Sequence, residues 1–394
     1  MSKKININSL RLLISNWLSI WWRTVFKIFL NIYLWKETND LQVLALFNIF
    51  LLLWHLFTFI LISPLVKLWH RRIINFISYL WFILSYLFII FLWEQVINNI
   101  YLVWIIFWAF SGSYYINYNV NQFDLTTFKN RWNFEWIKKW IKTISKMIFP
   151  AIIWVIIWIY NINIAFVFWI IIFIIWFFVW DVKFDFSVWE THYKKFIKKA
   201  LINKKVLYSI LGSFFFTFAF SMILLELLLP LLIFNEVWSE IKLWFSLSFL
   251  SIISIFIIYL FWKIIDYKHY NKSLILMCVI YILWLLWLVF ANTYTFLLFY
   301  WSLVVGISTL YSVWVSVITS NSIHSFKNYE KYRVEFVVLK EVWYIIWWIC
   351  SFLLMYLSWD LSQNSMMIIF YTMIWFSVIS TLFFININIH EIDH

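Results

Sequence analysis

Long apolar segments separated by short polar ones run along the whole chain. An α-helix rises about 1.5 Å per residue, so about 20 apolar residues cross the hydrocarbon core of a bilayer. Alternating apolar and polar positions, which are typical of half-buried strands, are absent from runs such as 168–179. The pattern predicts twelve transmembrane helices at 12–34, 41–62, 73–93, 99–121, 143–160, 163–180, 206–234, 241–262, 273–291, 294–320, 336–357 and 366–386.

A basic segment divides these twelve predicted helices into two groups of six. Residues 181–205 carry seven lysines and offer no run that could cross a bilayer. The sequence Thr127-Phe-Lys-Asn130 after the fourth helix is echoed by Ser325-Phe-Lys-Asn328 after the tenth. We therefore expect a six-helix bundle at 1–180, a cytoplasmic linker at 181–205, and a second six-helix bundle at 206–394 related to the first by a pseudo-twofold axis.

Composition and charge support a membrane protein and exclude several other classes. The chain is 65% hydrophobic and 12% charged with a mean hydropathy of +0.89, whereas a soluble domain has about 25% charged residues. Most Lys and Arg fall at the N-terminus, in the even-numbered loops and in the linker, while only Lys36 and Lys242 fall opposite. The positive-inside rule then predicts cytoplasmic termini in a plasma (inner) membrane, and the net charge of +12 does not indicate nucleic acid.

No pattern for catalysis, metal binding or nucleotide binding is present in the sequence. The histidines are scattered without metal-ligand spacing, and Cys278 and Cys350 lie inside predicted helices, where they read as small apolar residues. There is no phosphate-binding loop of the kind that drives ATP-dependent pumps. We therefore expect no cofactor, no metal and no enzymatic activity.

Two loops carry related basic sequences. Residues 62–72 read ISPLVKLWHRR after the second helix, and residues 262–272 read WKIIDYKHYNK after the eighth. Both resemble the major facilitator superfamily signature G-x-x-x-D-[RK]-x-G-[RK]-[RK]. In the first copy Lys67 and Arg71 match basic positions, but Val66 stands at the aspartate. In the second copy Asp266 keeps that carboxylate.

The resemblance to the major facilitator superfamily implies a specific fold and mechanism. It implies an all-α polytopic membrane protein of twelve transmembrane helices in 6+6 bundles that rock about a site at mid-membrane. The signature loops would help to close the cytoplasmic side, although ordinary positive-inside anchoring explains Arg71 and Arg72 equally well. The candidate gate residues are Arg71, Arg72, Arg131, Asp266 and Lys268.

Polar residues inside the predicted spans are the candidates for solute or proton binding. Arg23, Lys27 and Asn31 share one face of the first span, because they are spaced i, i+4 and i+8. A charge at mid-depth costs about 2.5 to 3.5 kcal/mol on insertion scales, so it indicates a function, with snorkelling or a structural ion pair as the alternative. In the resembled family helices 1, 4, 7 and 10 line the cavity. The remaining candidates are Tyr114, Asn117, Asn121, Glu226, Lys340 and Glu341.

Two details of these candidates are open to a structural check. Lys340 and Glu341 are adjacent in sequence, so we expect them on different faces of their helix. The stripe formed by Ser312, Ser316 and Thr319 is expected to form hydrogen bonds between helices.

The resulting functional hypothesis is a secondary transporter that moves a small solute by alternating access. The two cations of the first span favour an anionic or zwitterionic solute, and Glu226 makes a proton a candidate coupling ion. A monomer in the lipid bilayer is expected. The alternatives are a non-transporting receptor or scaffold, which predicts a sealed cavity, and an integral-membrane enzyme.

An unusual ratio of tryptophan to glycine yields a test at the level of the gene. The chain has 31 Trp and 3 Gly, where roughly 7% Gly would give about 28. Trp104, Trp108 and Gly112 share one helix face, and Trp343 and Trp347 repeat a spacing at which packed membrane helices favour small residues. We predict that the gene comes from a genetic code in which UGA encodes glycine. The alternative is genuine enrichment of Trp in an AT-rich genome, which does not explain the scarcity of Gly. Reading the codons at the 31 positions tests this: UGA should predominate, and a majority of UGG would contradict it.

Overall fold

The fold is a bundle of long helices, seen in a computed structural model. The structure describes residues 7–68, 71–92, 100–126, 128–159, 192–219, 230–234, 240–264, 270–290, 294–326, 329–357 and 363–387, with residue 227 and isolated positions between 164 and 174. Within these residues there is no β-strand.

The helices of the first half follow the predicted spans closely except at their ends. They are α1 (Ile7–Thr38), α2 (Leu41–Leu68), α3 (Arg71–Leu92), α4 (Ile100–Leu125) and α5 (Phe128–Ile159). The predicted span 163–180 lies mostly outside the described residues. The helix α5 begins 15 residues before the predicted start at 143, because its charged first turns continue the helix beyond the apolar segment.

The second half begins with a helix that the sequence did not predict. Part of the basic linker forms α6 (Tyr193–Ile202), followed after Asn203 by α7 (Lys204–Ala219). The remaining helices are α8 (Glu240–Ile264), α9 (Tyr270–Phe290), α10 (Tyr294–Ser322), α11 (Arg333–Leu357) and α12 (Gln363–Ile385). Short 3₁₀ turns at Ile323–Ser325 and Tyr329–Tyr332 connect α10 to α11.

The first signature segment is helical for most of its length rather than a loop. The helix α2 continues through Pro64 to Leu68. Proline has no N–H to donate to the carbonyl four residues earlier. The hydroxyl of Ser63 instead donates to that carbonyl, on Ile60, at 2.8 Å. This replacement lets α2 carry Lys67 one turn beyond the proline.

Among the described residues, the halves pack against each other mainly through two pairs of helices. The helix α2 lies against α11, and α5 lies against α8. Inside the first half, α2 and α4 approach so closely at Gly112 that an added Cβ would lie 2.9 Å from the carbonyl oxygen of His55. A side chain at this position would therefore push the two helices apart. The side chains of Trp104 and Trp108 lie outside the described residues.

Several tryptophans do lie between described helices. Trp314 of α10 is fully buried, and its ring centroid is 4.3 Å from that of Trp132 on α5, across the two halves. In the second half, the ring of Phe214 on α7 lies 5.1 Å from Trp343 and 4.2 Å from Trp347. These rings fill helix contacts at positions where the hypothesis of a UGA-encoded glycine places glycine. That hypothesis stays a prediction.

Length and apolarity allow several described helices to cross a bilayer. Within the described residues, the continuous segments that are both long enough and apolar enough are Leu41–Lys67, Arg333–Leu357 and Met367–Ile385. Exposed large apolar side chains such as Phe57, Phe249 and Trp375 cover the outside of the bundle. A surface of this kind is suited to lipid rather than water.

Candidate functional site: a polar lock between the two halves

Charged and amide side chains from both halves converge at one end of the bundle. We call this end the basic end; it comprises the C-terminal turns of α2, α4 and α10, the N-terminal turns of α3, α5 and α11, the two 3₁₀ turns, and α6. The helices position these charges because most of the charged residues lie just beyond an apolar span, while Arg131 and Glu135 lie in the charged first turns of α5. The cross-half contacts at this end form what we call the lock.

Asp124 on α4 bridges arginines from the two halves. Its Oδ2 lies 2.6 Å from Nη1 of Arg71 on α3, in the same half. Its Oδ1 lies 2.6 Å from Nη1 of Arg333, the first residue of α11 in the other half. One carboxylate thus fixes Arg71 within the first half and joins that half to the second.

Two asparagines of α4 hold Arg71 in place. Asn121 accepts a hydrogen bond from Nη1 of Arg71 at 2.7 Å. Asn117 donates to the backbone carbonyl of Arg71 at 3.0 Å and to Oδ1 of Asn75 at 2.6 Å. Arg71 is 4% exposed, and a buried cation needs such partners to offset its lost hydration.

Arg131 on α5 makes the opposite connection, from the first half to the second. Its Nη1 donates to the carbonyl of Ser320 at 3.0 Å and to Oδ1 of Asn321 at 2.6 Å, both in the last turn of α10. Its Nε and Nη2 bond to Thr126, at 3.1 and 3.0 Å. A cation at a helix C-terminus also complements the partial negative charge of the helix dipole. Burial lowers the pKa of Arg131 to about 10, with Glu135 acting in the opposite direction.

The two arginine contacts are reciprocal. Arg131 begins the fifth helix and grips the end of the tenth, while Arg333 begins the eleventh and grips Asp124 at the end of the fourth. Self-complementary contact of this kind is what a twofold relation between two halves produces. The partners differ in charge, since Asn321 is neutral and Asp124 is anionic.

A second cross-half ion pair joins Lys67 on α2 to Glu335 on α11. Their Nζ and Oε1 atoms are 2.5 Å apart, and the two side chains are 4% and 0% exposed. Nζ of Lys67 also donates to the carbonyl of Lys331 at 3.2 Å. The same Oε1 accepts a hydrogen bond from the backbone N–H of His192 at 2.8 Å, so the start of α6 is tied into the pair.

Glu135 forms a third connection, one turn further along α5. Its Oε1 accepts hydrogen bonds from Ser316 of α10 at 2.8 Å and from Gln122 of α4. Lys138 lies 2.8 Å from its Oε2. Ser316 and Thr319 both bond between helices, the latter to Ser213 at 2.5 Å, as expected for the hydroxyl stripe of the tenth span. The third member of that stripe, Ser312, instead donates to the carbonyl of Thr309 within α10 at 2.7 Å.

Lys340 and Glu341 contact each other although they are adjacent in sequence. Nζ of Lys340 lies 3.4 Å from Oε1 of Glu341, contrary to the expectation that they point apart. The long lysine stem can curl around the helix to reach its neighbour. Lys340 also lies close enough to Glu135 for their charges to interact, so this pair borders the lock.

His324 lies beside the part of the lock that is formed by Arg131 and the neutral side chain of Asn321. Its ring stacks on Phe123 of α4 across the interface, with centroids 6.4 Å apart, and lies 4.1 Å from the ring of Tyr329. Burial and the charge of Arg131 lower the pKa of His324 to about 4. The closed lock therefore favours the neutral imidazole.

The structure places the other predicted residues in different settings. Asn31 accepts a hydrogen bond from Asn48 of α2 at 2.9 Å, and Tyr114 lies 3.2 Å from Ser15 of α1, so both bond within the first half. The backbone of Arg23 and Lys27 belongs to α1, and that of Arg72 to α3, but their side chains lie outside the described residues. Glu226, Asp266 and Lys268 lie outside them entirely.

Sequence reasoning missed most of the anionic partners. Asp124, Glu335 and Glu135 are single carboxylates near helix ends, where they read as ordinary loop residues. The one available signal was position: each lies within a few residues of a basic motif or of the repeated Phe-Lys-Asn segment. Among the described residues, no group of three His, Cys, Asp or Glu side chains could hold a metal ion.

The chain resembles solved transporter structures over nearly its whole length. A bacterial homologue of the iron transporter ferroportin, in its outward-facing state, matches with a TM-score of 0.68 and 12% identity over 97% of this chain and 99% of that one. The human organic anion transporter MFSD10 (TETRAN) matches with a TM-score of 0.68 and 11% identity over 95% and 98%. No protein-family profile matches the sequence, and no curated protein does so.

These matches confirm the predicted fold. Both structures are transporters with the major facilitator fold, so this chain is an all-α, multi-pass membrane protein of that fold, as the signature loops predicted. The expected absence of enzymatic activity stays a prediction, because a shared fold does not determine activity. The number of membrane crossings and the division at 181–205 stay predictions.

The buried pair of Lys67 and Glu335 should be costly to break on one side only. Removing one partner of a buried ion pair typically costs about 3 to 5 kcal/mol, because the other charge is left unpaired. We expect Glu335→Gln or Lys67→Met to open the basic end, and the double variant to recover much of the closed population. Pulsed electron paramagnetic resonance between spin labels at Ile73 and Lys272, in a cysteine-free background, measures the opening.

A carboxylate at the opposite end provides the control for this cycle. Glu37 is exposed near the end of α1, so Glu37→Gln should leave the distance between the labels unchanged. Additive effects of the two lock variants would contradict the assignment of Lys67 and Glu335 as an energetically coupled pair.

Acidification should weaken the lock through His324. Its pKa is about 4 in the closed conformation and returns towards about 6.5 once the ring is hydrated. The closed state therefore has its full stability from this group above about pH 6.5 and loses it as pH falls towards 4. The same label distance, followed between these pH values, should lengthen, and His324→Gln should flatten the response. An equally steep response in that variant would contradict the role of His324.

Proposed function

We propose that this protein is a secondary transporter that moves a small solute by alternating access. The observation that supports this proposal most directly is the lock, because its bonds between Lys67 and Glu335, Asp124 and Arg333, and Arg131 and Asn321 each join one half to the other. Opening the basic end requires all of them to break together. A static scaffold has no need of buried charges that only one conformation pairs.

Among the described residues, two polar contacts that join the halves at the opposite end of the bundle are weaker than those of the lock. There Nε2 of Gln42 on α2 donates to the carbonyl of Tyr356 on α11 at 3.4 Å. Nζ of Lys36 on α1 lies 5.8 Å from the ring centroid of Phe234. A long hydrogen bond and an exposed cation–π contact are worth little compared with a buried ion pair.

The orientation follows from the charges. The lock coincides with the basic loops and α6, which the positive-inside rule places in the cytoplasm. The described conformation is then closed towards the cytoplasm. The outward-facing state of the similar bacterial structure is consistent with this assignment. In this scheme 1–180 and 206–394 are the two moving bundles, and the protein works as a monomer.

The available chemistry favours an anionic or zwitterionic solute over a metal ion. One similar structure is an organic anion transporter and another a homologue of an iron transporter. The described residues contain no cluster of metal ligands, whereas α1 carries Arg23 and Lys27 along one face. Those two cations are the proposed solute ligands, and Glu226 the proposed proton carrier.

Locking the basic end should stop transport. Thr126 and Asn321 bond to the same Arg131 side chain from opposite halves, so cysteines there can be joined by a short bis-methanethiosulfonate linker. In proteoliposomes supplied with a panel of organic anions and with ferrous iron, we expect uptake of the transported solute to fall at least tenfold on cross-linking. Reduction of the linker should restore it.

Each single-cysteine variant is the matched control, and treatment with the same reagent should leave its uptake equal to that of the same variant before treatment. Undiminished flux through the cross-linked protein would exclude alternating access at this end. A preference for ferrous iron over every anion would contradict the proposed solute class.

A further inference from the structure

The linker helix α6 contacts both halves of the protein at the lock. The hydroxyl of Tyr193 lies 2.7 Å from that of Ser63 on α2, in the first half. Phe196 is fully buried and packs against Phe326 and Phe336 of the second half, with ring centroids 5.8 and 6.4 Å away. In this closed conformation α6 therefore packs on the second half and reaches the first half through Tyr193.

The outward face of α6 has a different composition. Ile197 and Leu201, spaced i and i+4, form an apolar ridge with exposures of 41% and 62%. Lys194 and Lys198, with the same spacing, run alongside this ridge, and both are exposed. A helix with aliphatic side chains flanked by lysines is typical of elements that lie in a membrane interface.

The position of α6 along the chain brings this face to the bilayer surface. Asn203 alone separates α6 from α7, which enters the predicted span 206–234 within its first turn. Asn203 also donates from Nδ2 to Oγ of Ser325 at 3.0 Å, and its Oδ1 accepts from the N–H of Val206 at 3.2 Å. These bonds fix the joint, so α6 cannot move far from the end of α7.

We propose that the outward face of α6 binds anionic lipid headgroups, and that this binding stabilises the closed lock. The aliphatic ridge would enter the boundary of the acyl chains while Lys194, Lys195 and Lys198 pair with phosphate or other acidic groups above it. Charge complementarity selects this occupant, since each lysine near an anionic surface gains about 1 kcal/mol. The proposed lipid contact is argued from the exposed side chains of α6 and does not depend on the proposed function. Its consequence for solute flux does rest on the proposed function.

The link between lipid and lock runs through the buried face of the same helix. The backbone N–H of His192, immediately before α6, donates to Glu335 of the ion pair at 2.8 Å. Lys199 lies with its Nζ 4.8 Å from the ring centroid of Tyr332, so it faces the protein rather than the lipid. The hydroxyl of Tyr193 on the same helix reaches Ser63 of the first half, so lipid that holds α6 in this position also keeps the two halves in contact there.

The test compares nanodiscs of pure phosphatidylcholine with nanodiscs that also contain phosphatidylglycerol. Spin labels at Ile73 and Lys272 report the ratio of closed to open protein. We expect phosphatidylglycerol to raise this ratio about fivefold for each lysine that contacts a headgroup only in the closed state, and high salt to reduce the gain. The triple variant Lys194→Gln, Lys195→Gln, Lys198→Gln should lose the response.

The matched control replaces the same three lysines by arginine, which keeps the charge, and should retain the response. A label at Ile202, which is 74% exposed, should collide with lipid-soluble oxygen more than with a water-soluble nickel chelate. A closed-to-open ratio that ignores phosphatidylglycerol, or a glutamine variant that still responds, overturns the proposal. Because no readout uses solute flux, failure of the proposed transport function would be detected separately.

Discussion

The structure depends on one electrostatic constraint. A charge buried between the two halves must either pair with a group of the other half or be hydrogen-bonded by groups of its own half. Lys67 and Glu335 are nearly inaccessible to solvent, and each would carry a large desolvation cost alone. Their pairing exists only while the basic end is closed. The same is true of Arg333 and Asp124. Closure is thus specific, because sliding or rotating one half by a few ångströms would leave several buried charges without partners.

The lock also shows how this chain departs from the signature that its loops resemble. Val66 occupies the position at which that signature has an aspartate, and Val66 is 2% exposed within an apolar cluster. The carboxylates that face the basic residues lie elsewhere, on Asp124 of α4 and on Glu335 of α11. The charge balance at the interface is therefore retained although the signature's first acidic residue is not. The balancing charges come from helix ends of both halves, and each half contributes an arginine that bonds to the other half.

Hydropathy was sufficient to predict most of the described helices, because the apolar segments are long, whereas the fold prediction also needed the resemblance of the two signature loops. It could not predict where helices end, since the charged turns of α5 and the part of α2 beyond Pro64 continue outside the apolar runs. Helical spacing correctly grouped Asn117 and Asn121 on one face. It could not tell which neighbour that face meets, and in the structure the two asparagines hold Arg71 rather than face the other half. Hydropathy also missed the linker helix α6, because its lysines interrupt the apolar pattern of that segment.

The proposed transport function requires the lock to open, and the balance of its energies permits this. A buried ion pair gains Coulomb energy and loses hydration in nearly equal amounts, so its net contribution to stability is small even though each charge alone is costly. When the halves separate, water hydrates all the charges at once, which avoids the unpaired intermediate. Opening is then a concerted step with a modest free-energy difference between its end states. Small inputs, such as a bound solute, a proton on His324 or a charged lipid at α6, are of the right size to decide between them.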